Sequence, residues 1–280
     1  MSSVDAVTVN GVRSPLLDVG PRGPEAVVFV HGNPGSLTDW TDLAQQVAES
    51  GRAVALDMPG YGHADKPRGF DFTVEGYARH LASALEQLGV SRAHLVLHDF
   101  GGPWGLAWAA AHPRQVASLT LINTGVVARY RWHYLARIWR TPVVGEIFMA
   151  TTTRAGFGLL LKHGNPRGLP KPFIDRMFAD FDHGTRRAVL RLYRATSNFD
   201  DFASVVTRNL AGLDLPVLVV WGKQDPYVPV RFAEQQRSVF PNARVTILED
   251  SGHWPFADNP EAVAGIVVPF LRSQLSRAAH

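Results

Sequence analysis

The chain has 280 residues, 46% hydrophobic and 19% charged, enough for one large globular domain with an insertion or for two small domains. The absence of cysteine excludes disulfides, thiolate metal sites and cysteine catalysis, and a formal net charge of +3 without a nucleic-acid-binding motif gives no indication of a nucleic-acid partner. No terminal run is typical of a signal peptide and no apolar stretch reaches the roughly 18 residues that span a bilayer, so we expect a cytoplasmic protein without a membrane partner.

Short apolar runs alternate with amphipathic helices over residues 1–125. Strands are predicted at residues 4–9, 16–19, 26–30, 53–56, 94–98 and 118–122. Helices are predicted at residues 38–49, from the N-cap Thr73 to Gly89, and at 104–112. The continuously apolar inner strands are typical of a parallel sheet buried on both faces, and the alternation favours a doubly wound α/β architecture.

The alternation stops between residues 126 and 210. This segment holds many aromatic residues and turn signals but no convincing buried strand, which predicts a helical insertion. It carries 14 Lys and Arg against 6 Asp and Glu, a balance of +8 that leaves −5 for the rest of the chain. Strands at 215–221 and 244–248 and helices at 231–239 and 260–275 then complete a core formed by residues 1–125 and 211–280.

Asp99 is the most informative position, because it follows an apolar strand and precedes Gly101, Gly102 and an apolar helix. Such a corner has a cramped backbone that requires small residues, and it presents its tip side chain where the helix N-terminus favours negative charge. An aspartate with an ordinary pKa of about 3.9 is ionised at neutral pH and can attack carbon without an activating base. The alternative is that Asp99 only caps the helix.

Asp225 and His253 also follow the C-terminal ends of predicted strands. In a parallel sheet these ends share one edge, so we expect Asp99, Asp225 and His253 to meet there. Nucleophile, acid and histidine in this chain order are typical of α/β-hydrolases. The Gly- and Pro-rich turn at residues 31–36 can present backbone N–H groups to the same crevice.

Motifs along nearly the whole chain resemble the Asp-nucleophile branch of the α/β-hydrolases, which contains epoxide hydrolases, haloalkane dehalogenases and fluoroacetate dehalogenases. The matching segments are His31-Gly32-Asn33-Pro34, Asp57-Met58-Pro59-Gly60-Tyr61-Gly62 with Asp65-Lys66-Pro67, His98-Asp99-Phe100-Gly101-Gly102, Trp221-Gly222-Lys223-Gln224-Asp225-Pro226 and Gly252-His253-Trp254-Pro255. The resemblance implies an α/β-hydrolase fold, with a mostly parallel sheet flanked by helices and residues 126–210 as a helical lid, or cap, over the nucleophile.

The same resemblance implies a two-step reaction. Asp99 attacks an electrophilic carbon to form an alkyl-enzyme ester, and His253, oriented by Asp225, removes a proton from the water that hydrolyses this ester. The backbone N–H groups of Asn33 and Phe100 would hold the oxyanion. Neither a cofactor nor a metal is implied, and the expected partners are a small electrophilic substrate and water.

An epoxide substrate requires an acid near its leaving oxygen. Epoxide hydrolases carry a lid tyrosine followed by arginine, and Tyr193-Arg194 is similar in placement. Further ring-opening or substrate contacts are expected from Tyr130, His133 or Tyr134.

A halide substrate instead requires N–H donors. Haloalkane dehalogenases are similar to this chain at Asn33 and at Leu97, but they carry a tryptophan directly after the nucleophile, where this chain has Phe100. We therefore predict an epoxide hydrolase that produces vicinal diols. Haloalkane dehalogenase-type hydrolysis and a non-catalytic ligand-binding protein on the same fold are the alternatives, and the natural substrate and oligomeric state stay open.

Overall fold

The computed structural model describes residues 5–196 and 199–277. Across these residues eight strands form one sheet: β1 (Ala6–Val9), β2 (Val12–Val19), β3 (Glu25–Val30), β4 (Arg52–Leu56), β5 (Arg92–His98), β6 (Val116–Ile122), β7 (Val217–Gly222) and β8 (Arg244–Leu248). Their order is β1-β2-β4-β3-β5-β6-β7-β8. The pairs β1–β2 and β2–β4 are antiparallel and all the others are parallel, which confirms a mostly parallel sheet.

Twelve helices occur in the described residues. Three precede the fourth, fifth and sixth strands in turn: α1 (Thr41–Ala48), α2 (Val74–Gln87) and α3 (Gly101–Ala111). Six lie between β6 and β7: α4 (Tyr134–Arg140), α5 (Val144–Thr151), α6 (Arg154–Gly164), α7 (Lys171–Asp180), α8 (His183–Ala195) and α9 (Phe199–Leu210). The last three are α10 (Arg231–Gln235), α11 (Pro255–Asp258) and α12 (Pro260–Arg277). None of the helices in this part of the chain has the length and apolar character needed to cross a bilayer.

Burial explains why the central strands are continuously apolar. Strands β4, β6 and β7 are buried at every residue, because helices cover both faces of the sheet. Helix α3 is apolar almost all round for the same reason, since it packs against β5, α2 and α9. The predicted cap of α2 is present: the Thr73 hydroxyl accepts a hydrogen bond from the Gly76 N–H at 3.0 Å.

Some boundaries differ from the sequence prediction. The helix predicted at 38–49 begins as a 3₁₀ turn at Leu37–Trp40 before α1, and the helix predicted at 231–239 ends as a 3₁₀ turn at Gln236–Ser238 after α10. The four-residue helix α11 was not predicted, because one turn started by Pro255 has no periodic pattern to detect. Val4, in the first predicted strand, lies outside the described residues.

Three non-glycine residues described between β6 and β7 have a positive φ: Asn123, Arg129 and Val143. Val143, directly before α5, has a φ of 68°, in the left-handed region. With a ψ of −51° and the Val144 N–H donating to the Pro142 carbonyl at 2.8 Å, Val143 is the central residue of a γ-turn of the rare, strained kind.

Candidate active site

Asp99 stands at the sharp corner between β5 and α3, with a φ of 49°. A Cβ on Gly101 would lie 2.3 Å from the carbonyl oxygen of Val30, and a Cβ on Gly32 would lie 2.4 Å from the Asp99 Cβ, so both positions require glycine. The Thr124 hydroxyl donates a hydrogen bond to the Asp99 carbonyl oxygen at 2.7 Å. Packing and hydrogen bonding thus hold the aspartate in a conformation that non-glycine residues seldom adopt.

The structure brings Asp99, Asp225 and His253 together at the carboxyl edge of the sheet. Asp225 lies in the loop after β7 and His253 in the loop after β8. The Nδ1 of His253 lies 2.7 Å from Asp225 Oδ2, and its Nε2 lies 3.5 Å from Asp99 Oδ2. His253 is buried, with 2% of its side chain exposed. Its imidazole therefore bridges two carboxylates that are 126 residues apart in the sequence.

Asp225 is held by donors to both of its oxygens. The backbone N–H groups of Tyr227 and Val228 donate to Oδ1 at 2.7 and 3.0 Å. The side-chain amide of Asn123 donates to Oδ2 at 2.7 Å, while its own Oδ1 accepts from the Gly222 N–H at 2.9 Å. These contacts fix the oxygen that faces His253 and satisfy the remaining lone pairs of the carboxylate.

Sequence reasoning missed Asn123 and Tyr227, which lines both cavities near Asp99. The segment of Asn123 was interpreted only as the end of a strand. The available signal was its position: Asn123 directly follows β6, and β6 pairs with β7, the strand that leads to Asp225. Its left-handed φ of 46° suits asparagine, which tolerates this region better than most residues.

The protonation states of Asp99 and His253 follow from burial on one side and from charge and hydrogen bonding on the other. Burial raises the pKa of the Asp99 carboxyl, but the hydrogen bond and positive charge of His253 outweigh it and lower this pKa to about 2. Burial lowers the pKa of His253, but the charges and hydrogen bonds of Asp225 and Asp99 outweigh it and raise this pKa to about 10. At neutral pH the site therefore holds an ionised Asp99 beside a protonated His253.

Asn33 contacts Asp99 through its backbone and Tyr193 through its side chain. Its N–H donates to Asp99 Oδ1 at 2.6 Å, and its side-chain amide donates to the Tyr193 hydroxyl at 3.3 Å. The Phe100 N–H makes no hydrogen bond with the Asp99 carboxylate. Of the two predicted oxyanion donors, only Asn33 thus contacts the nucleophile in this state.

Two cavities, one larger than the other, meet at Asp99. Both are lined by Asp99, His133, Tyr193 and Tyr227. The larger cavity is otherwise mostly apolar, with walls that include Leu135, Trp139, Phe148, Phe157, Leu160, Leu161, Phe181 and Val189. The smaller cavity has an aromatic wall formed by Phe100, Tyr130, Trp132 and Phe199.

Tyr193 lies in α8 and is 2% exposed, with its ring against that of Phe100 at a centroid distance of 5.0 Å. Burial and the nearby Asp99 charge hold its pKa well above 10, so the phenol keeps its proton. Its oxygen accepts from Asn33, and within the described part of the chain its own proton has no acceptor. The hydroxyl is therefore available as a donor to a bound molecule.

The three other residues predicted to contact the substrate, Tyr130, His133 and Tyr134, differ in their position relative to the two cavities. The Tyr130 hydroxyl lines the smaller cavity but donates to the Tyr227 carbonyl at 2.8 Å. Tyr134 is 46% exposed, with its ring against His163, and lines neither cavity. His133 lines both, and its Nδ1 accepts from the Ala136 N–H at 3.2 Å.

That capping bond assigns the tautomer of His133. Because Nδ1 accepts, the ring proton is on Nε2. Burial lowers the pKa of His133 to about 4, so the ring is neutral at pH 7 and its Nε2–H is a donor.

Within residues 5–196 and 199–277, no cluster of three or more His, Asp or Glu side chains is placed to hold a metal ion. The polar groups that line the cavities are suited to nucleophilic attack and proton transfer.

Comparisons with known proteins identify the fold family of the chain. The family model described as the alpha/beta hydrolase fold matches residues 25–260. The chain is 28% identical over 288 residues to a cis-3-alkyl-4-alkyloxetan-2-one decarboxylase of Xanthomonas campestris, covering 95% of this chain and 93% of that protein. It is 25% identical over 290 residues to epoxide hydrolase 4 of Mus musculus, covering 96% and 79%.

Among solved structures, a loop variant of a haloalkane dehalogenase from Bradyrhizobium elkanii superimposes with a TM-score of 0.86 and 24% identity, covering 99% of both chains. At this identity the likeness shows the fold alone, and it confirms the predicted architecture. The match of the family model to most of the chain establishes that this protein belongs to the α/β-hydrolase fold family.

Proposed function

We propose that this protein is an epoxide hydrolase that converts an apolar epoxide into a vicinal diol through an ester on Asp99. The observation that carries the proposal is the Tyr193 hydroxyl, a buried phenol that lines both cavities together with the nucleophile and has an uncommitted proton. An alkoxide is a poor leaving group, so ring opening needs such a donor.

In the first step, Asp99 Oδ2 attacks a ring carbon while the ring C–O bond breaks. Oδ1 is held by the Asn33 N–H at 2.6 Å, which leaves Oδ2 as the attacking oxygen and Oδ1 as the carbonyl oxygen of the ester. The departing ring oxygen takes the Tyr193 proton. The product of this step is a hydroxyalkyl ester of Asp99.

In the second step, His253 removes a proton from water, and the resulting hydroxide attacks the ester carbonyl of Asp99. The negative charge that develops on Oδ1 is stabilised by the Asn33 N–H, and Phe100 N–H is the second donor proposed for this state. Collapse of the intermediate breaks the ester C–O bond, and the departing diol oxygen takes the proton of the carboxylic acid that forms, which restores the Asp99 carboxylate. The proton that His253 releases once Asp99 is a neutral ester returns, through solvent, to the Tyr193 phenolate left by the first step, and the proton that His253 takes from water restores its imidazolium. In both steps Asp225 orients the His253 ring and stabilises its positive charge whenever the ring is protonated.

His133 is the second donor that we propose for the departing oxygen. Its Nε2 carries the proton, its ring is neutral, and it lines both cavities beside Tyr193. The Tyr130 hydroxyl already donates a hydrogen bond to the Tyr227 carbonyl, and Tyr134 lies outside the cavities.

Haloalkane hydrolysis is the second candidate, and one contact argues against it. A halide leaves as an anion and is stabilised by N–H donors, and Phe100 offers no side-chain N–H directly after Asp99. The donors left for a halide are the second amide hydrogen of Asn33 and the indole N–H groups of Trp139 and Trp254, which line the larger cavity and have no hydrogen-bond partner among the described residues. The resemblance in fold to a haloalkane dehalogenase does not decide between the two reactions.

The cavities also indicate the shape of the substrate. Two mostly apolar arms meet at Asp99, so we propose that the reacting ring carries an apolar substituent on each side. Helices α4, α5, α6 and α8 contribute walls, and the segment of residues 126–210 acts as the lid in this proposal.

Replacing Tyr193 with phenylalanine tests the reaction directly. We expect Tyr193→Phe to lower kcat for internal alkyl epoxides by about 10²-fold, because general acid catalysis contributes 10²- to 10⁴-fold and His133 still donates. Diol formation is measured by gas chromatography, and bromide release from bromoalkanes is measured in parallel.

The matched control is Tyr134→Phe, which removes a hydroxyl from a lid tyrosine outside the cavities and should leave diol formation unchanged. Efficient bromide release by the wild-type protein, with epoxides left intact, would contradict the epoxide assignment.

Asn123 gives a second prediction. Asn123→Leu removes a hydrogen bond to the Asp225 carboxylate, and such bonds to charged groups contribute about 1.5–3 kcal/mol. We expect kcat to fall roughly 10- to 100-fold, with a larger effect on ester hydrolysis than on ester formation. Single-turnover kinetics separate the two steps, and thermal denaturation checks the fold. Equal effects on both steps would show that Asn123 does not act through His253.

A further inference from the structure

The helical insertion is hydrogen-bonded to the loop that carries His253. Helix α6 ends at Gly164, and Asn165 follows it as the C-cap. The backbone N–H of His253 donates to the Gly164 carbonyl at 2.9 Å, and the backbone N–H of Trp254 donates to Asn165 Oδ1 at 2.9 Å. Two successive N–H groups of this loop therefore have their acceptors in the insertion and not in the α/β core.

The two segments approach each other at backbone distance. A Cβ on Gly252 would lie 2.2 Å from the Gly164 carbonyl oxygen and 2.7 Å from the Asn165 Cα, so the residue before His253 must be glycine. Asn165 is fully buried, and its side-chain amide also donates to the Leu161 carbonyl at 3.2 Å. One end of this amide thus caps α6, and the other end holds the loop of His253.

The α/β core holds the opposite side of the same residue. His98 Nε2 lies 2.8 Å from the His253 carbonyl oxygen, which can only accept, so this nitrogen carries the ring proton. Burial lowers the pKa of His98 to about 3, which keeps the ring neutral. His98 directly precedes Asp99. The main chain of His253 is therefore held between the strand that leads to the nucleophile and the end of α6.

Helix α6 is also a wall of the substrate cavity. Phe157, Leu160 and Leu161 line the larger cavity. The Leu160 carbonyl accepts from the Tyr227 hydroxyl at 3.1 Å, and the Tyr227 N–H donates to Asp225 Oδ1 at 2.7 Å. One helix of the insertion thus contacts the cavity and, at its C-terminal end, the loops of both Asp225 and His253.

We propose that Asn165 is a positioning residue, which fixes the loop of His253 to α6 and so sets the distance from the imidazole to Asp225 and to the ester on Asp99. The proposal rests on the reaction proposed above, in which His253 acts as a base only in the second step. Without the Asn165 acceptor, the Trp254 N–H is left unpaired in a buried position, and the loop moves to satisfy it. The first step depends on Asp99 and Tyr193, which Asn165 does not contact.

Asn165→Leu keeps the size of the side chain and removes both hydrogen bonds. We expect ester hydrolysis to slow about tenfold, because small displacements of a catalytic group cost up to about 10²-fold in rate, and ester formation to be unchanged. Single-turnover kinetics with an internal alkyl epoxide separate the two steps. The matched control is Lys66→Met, which removes another contact between the core and the insertion, the ion pair with Asp182 at 2.7 Å, and should leave both steps unchanged.

A second measurement needs no substrate. The proton between His253 Nδ1 and Asp225 Oδ2, which are 2.7 Å apart, should give a low-field proton NMR resonance in the wild-type protein. We expect Asn165→Leu to shift or broaden this resonance and Lys66→Met to leave it unchanged. A wild-type protein that leaves epoxides intact would contradict the proposed function, whereas the resonance would still show whether Asn165 positions His253.

Thermal denaturation checks that Asn165→Leu is folded. If it is not, Asn165→Ser takes its place in both measurements, since serine is polar but its hydroxyl is one bond short of the Asn165 Oδ1, and the effects should have the same direction. An unchanged resonance in the folded Asn165 variant, equal slowing of both steps, or the same changes in Lys66→Met would each overturn the proposal.

Discussion

Asp99→Ala is expected to abolish epoxide hydrolysis, with a loss of at least about 10⁴-fold in kcat/KM. The variant has no carboxylate at the corner that can form the ester, and Tyr193 cannot replace it as a nucleophile because burial keeps the proton on its phenol. Diol formation from an internal alkyl epoxide, followed over hours, measures the residual rate. The fold is checked by thermal denaturation.

Oxygen labelling shows whether the nucleophile is Asp99 or water. In H₂¹⁸O, repeated turnovers by the wild-type protein should place ¹⁸O in the Asp99 side chain, because water attacks the ester carbonyl and one of its oxygens remains there. Mass spectrometry of the peptide that contains Asp99 detects the label. If diol accumulates while Asp99 stays unlabelled, water attacks the epoxide directly and the ester mechanism is wrong.

His253→Gln is expected to trap the ester. Glutamine cannot accept the proton of water, so the second step should slow by about 10³-fold or more while the first still occurs. The protein mass should then increase by the full mass of the epoxide, because ring opening retains all atoms. A bromoalkane would instead add its alkyl group and lose bromide, so the mass identifies the class of electrophile as well as the intermediate.

The double variant Asp99→Ala/His253→Gln is the control for the adduct, and it should stay at its own unmodified mass. An adduct on the double variant would place the modification on another residue. A His253→Gln variant that forms no adduct with any epoxide or haloalkane, yet binds them, would favour the non-catalytic ligand-binding protein considered in the sequence analysis.

The sequence predicts the sheet and the meeting of Asp99, Asp225 and His253 because these follow from strand ends. A parallel sheet places all C-terminal ends at one edge, whatever the order of its strands. Asn123 is different, since its contact with Asp225 depends on β6 pairing with β7, and the order of strands is not visible in a local pattern. Its contact therefore required the assembled sheet.

The second donor illustrates another limit of sequence reasoning. Tyr134 and His133 are adjacent in the chain, and both carry a group that can donate a proton. Helix α4 begins at Tyr134, so His133 becomes its N-cap and lines the cavities, while Tyr134 is turned outward toward His163. Which of the two side chains reaches the cavities thus depends on the residue at which α4 begins, and helix ends are the least certain part of a prediction from a sequence pattern.

The position of His253 between two carboxylates also sets the timing of its chemistry. While Asp99 is free, its charge helps to hold the proton on the imidazole, which then cannot act as a base. Conversion of Asp99 to a neutral ester removes that charge, and with Asp225 alone opposing the effect of burial, the pKa of His253 falls. In the mechanism that we propose, His253 would thus become a base only after the ester that it hydrolyses has formed, and Asp99, which reacts first, would also control when His253 becomes active.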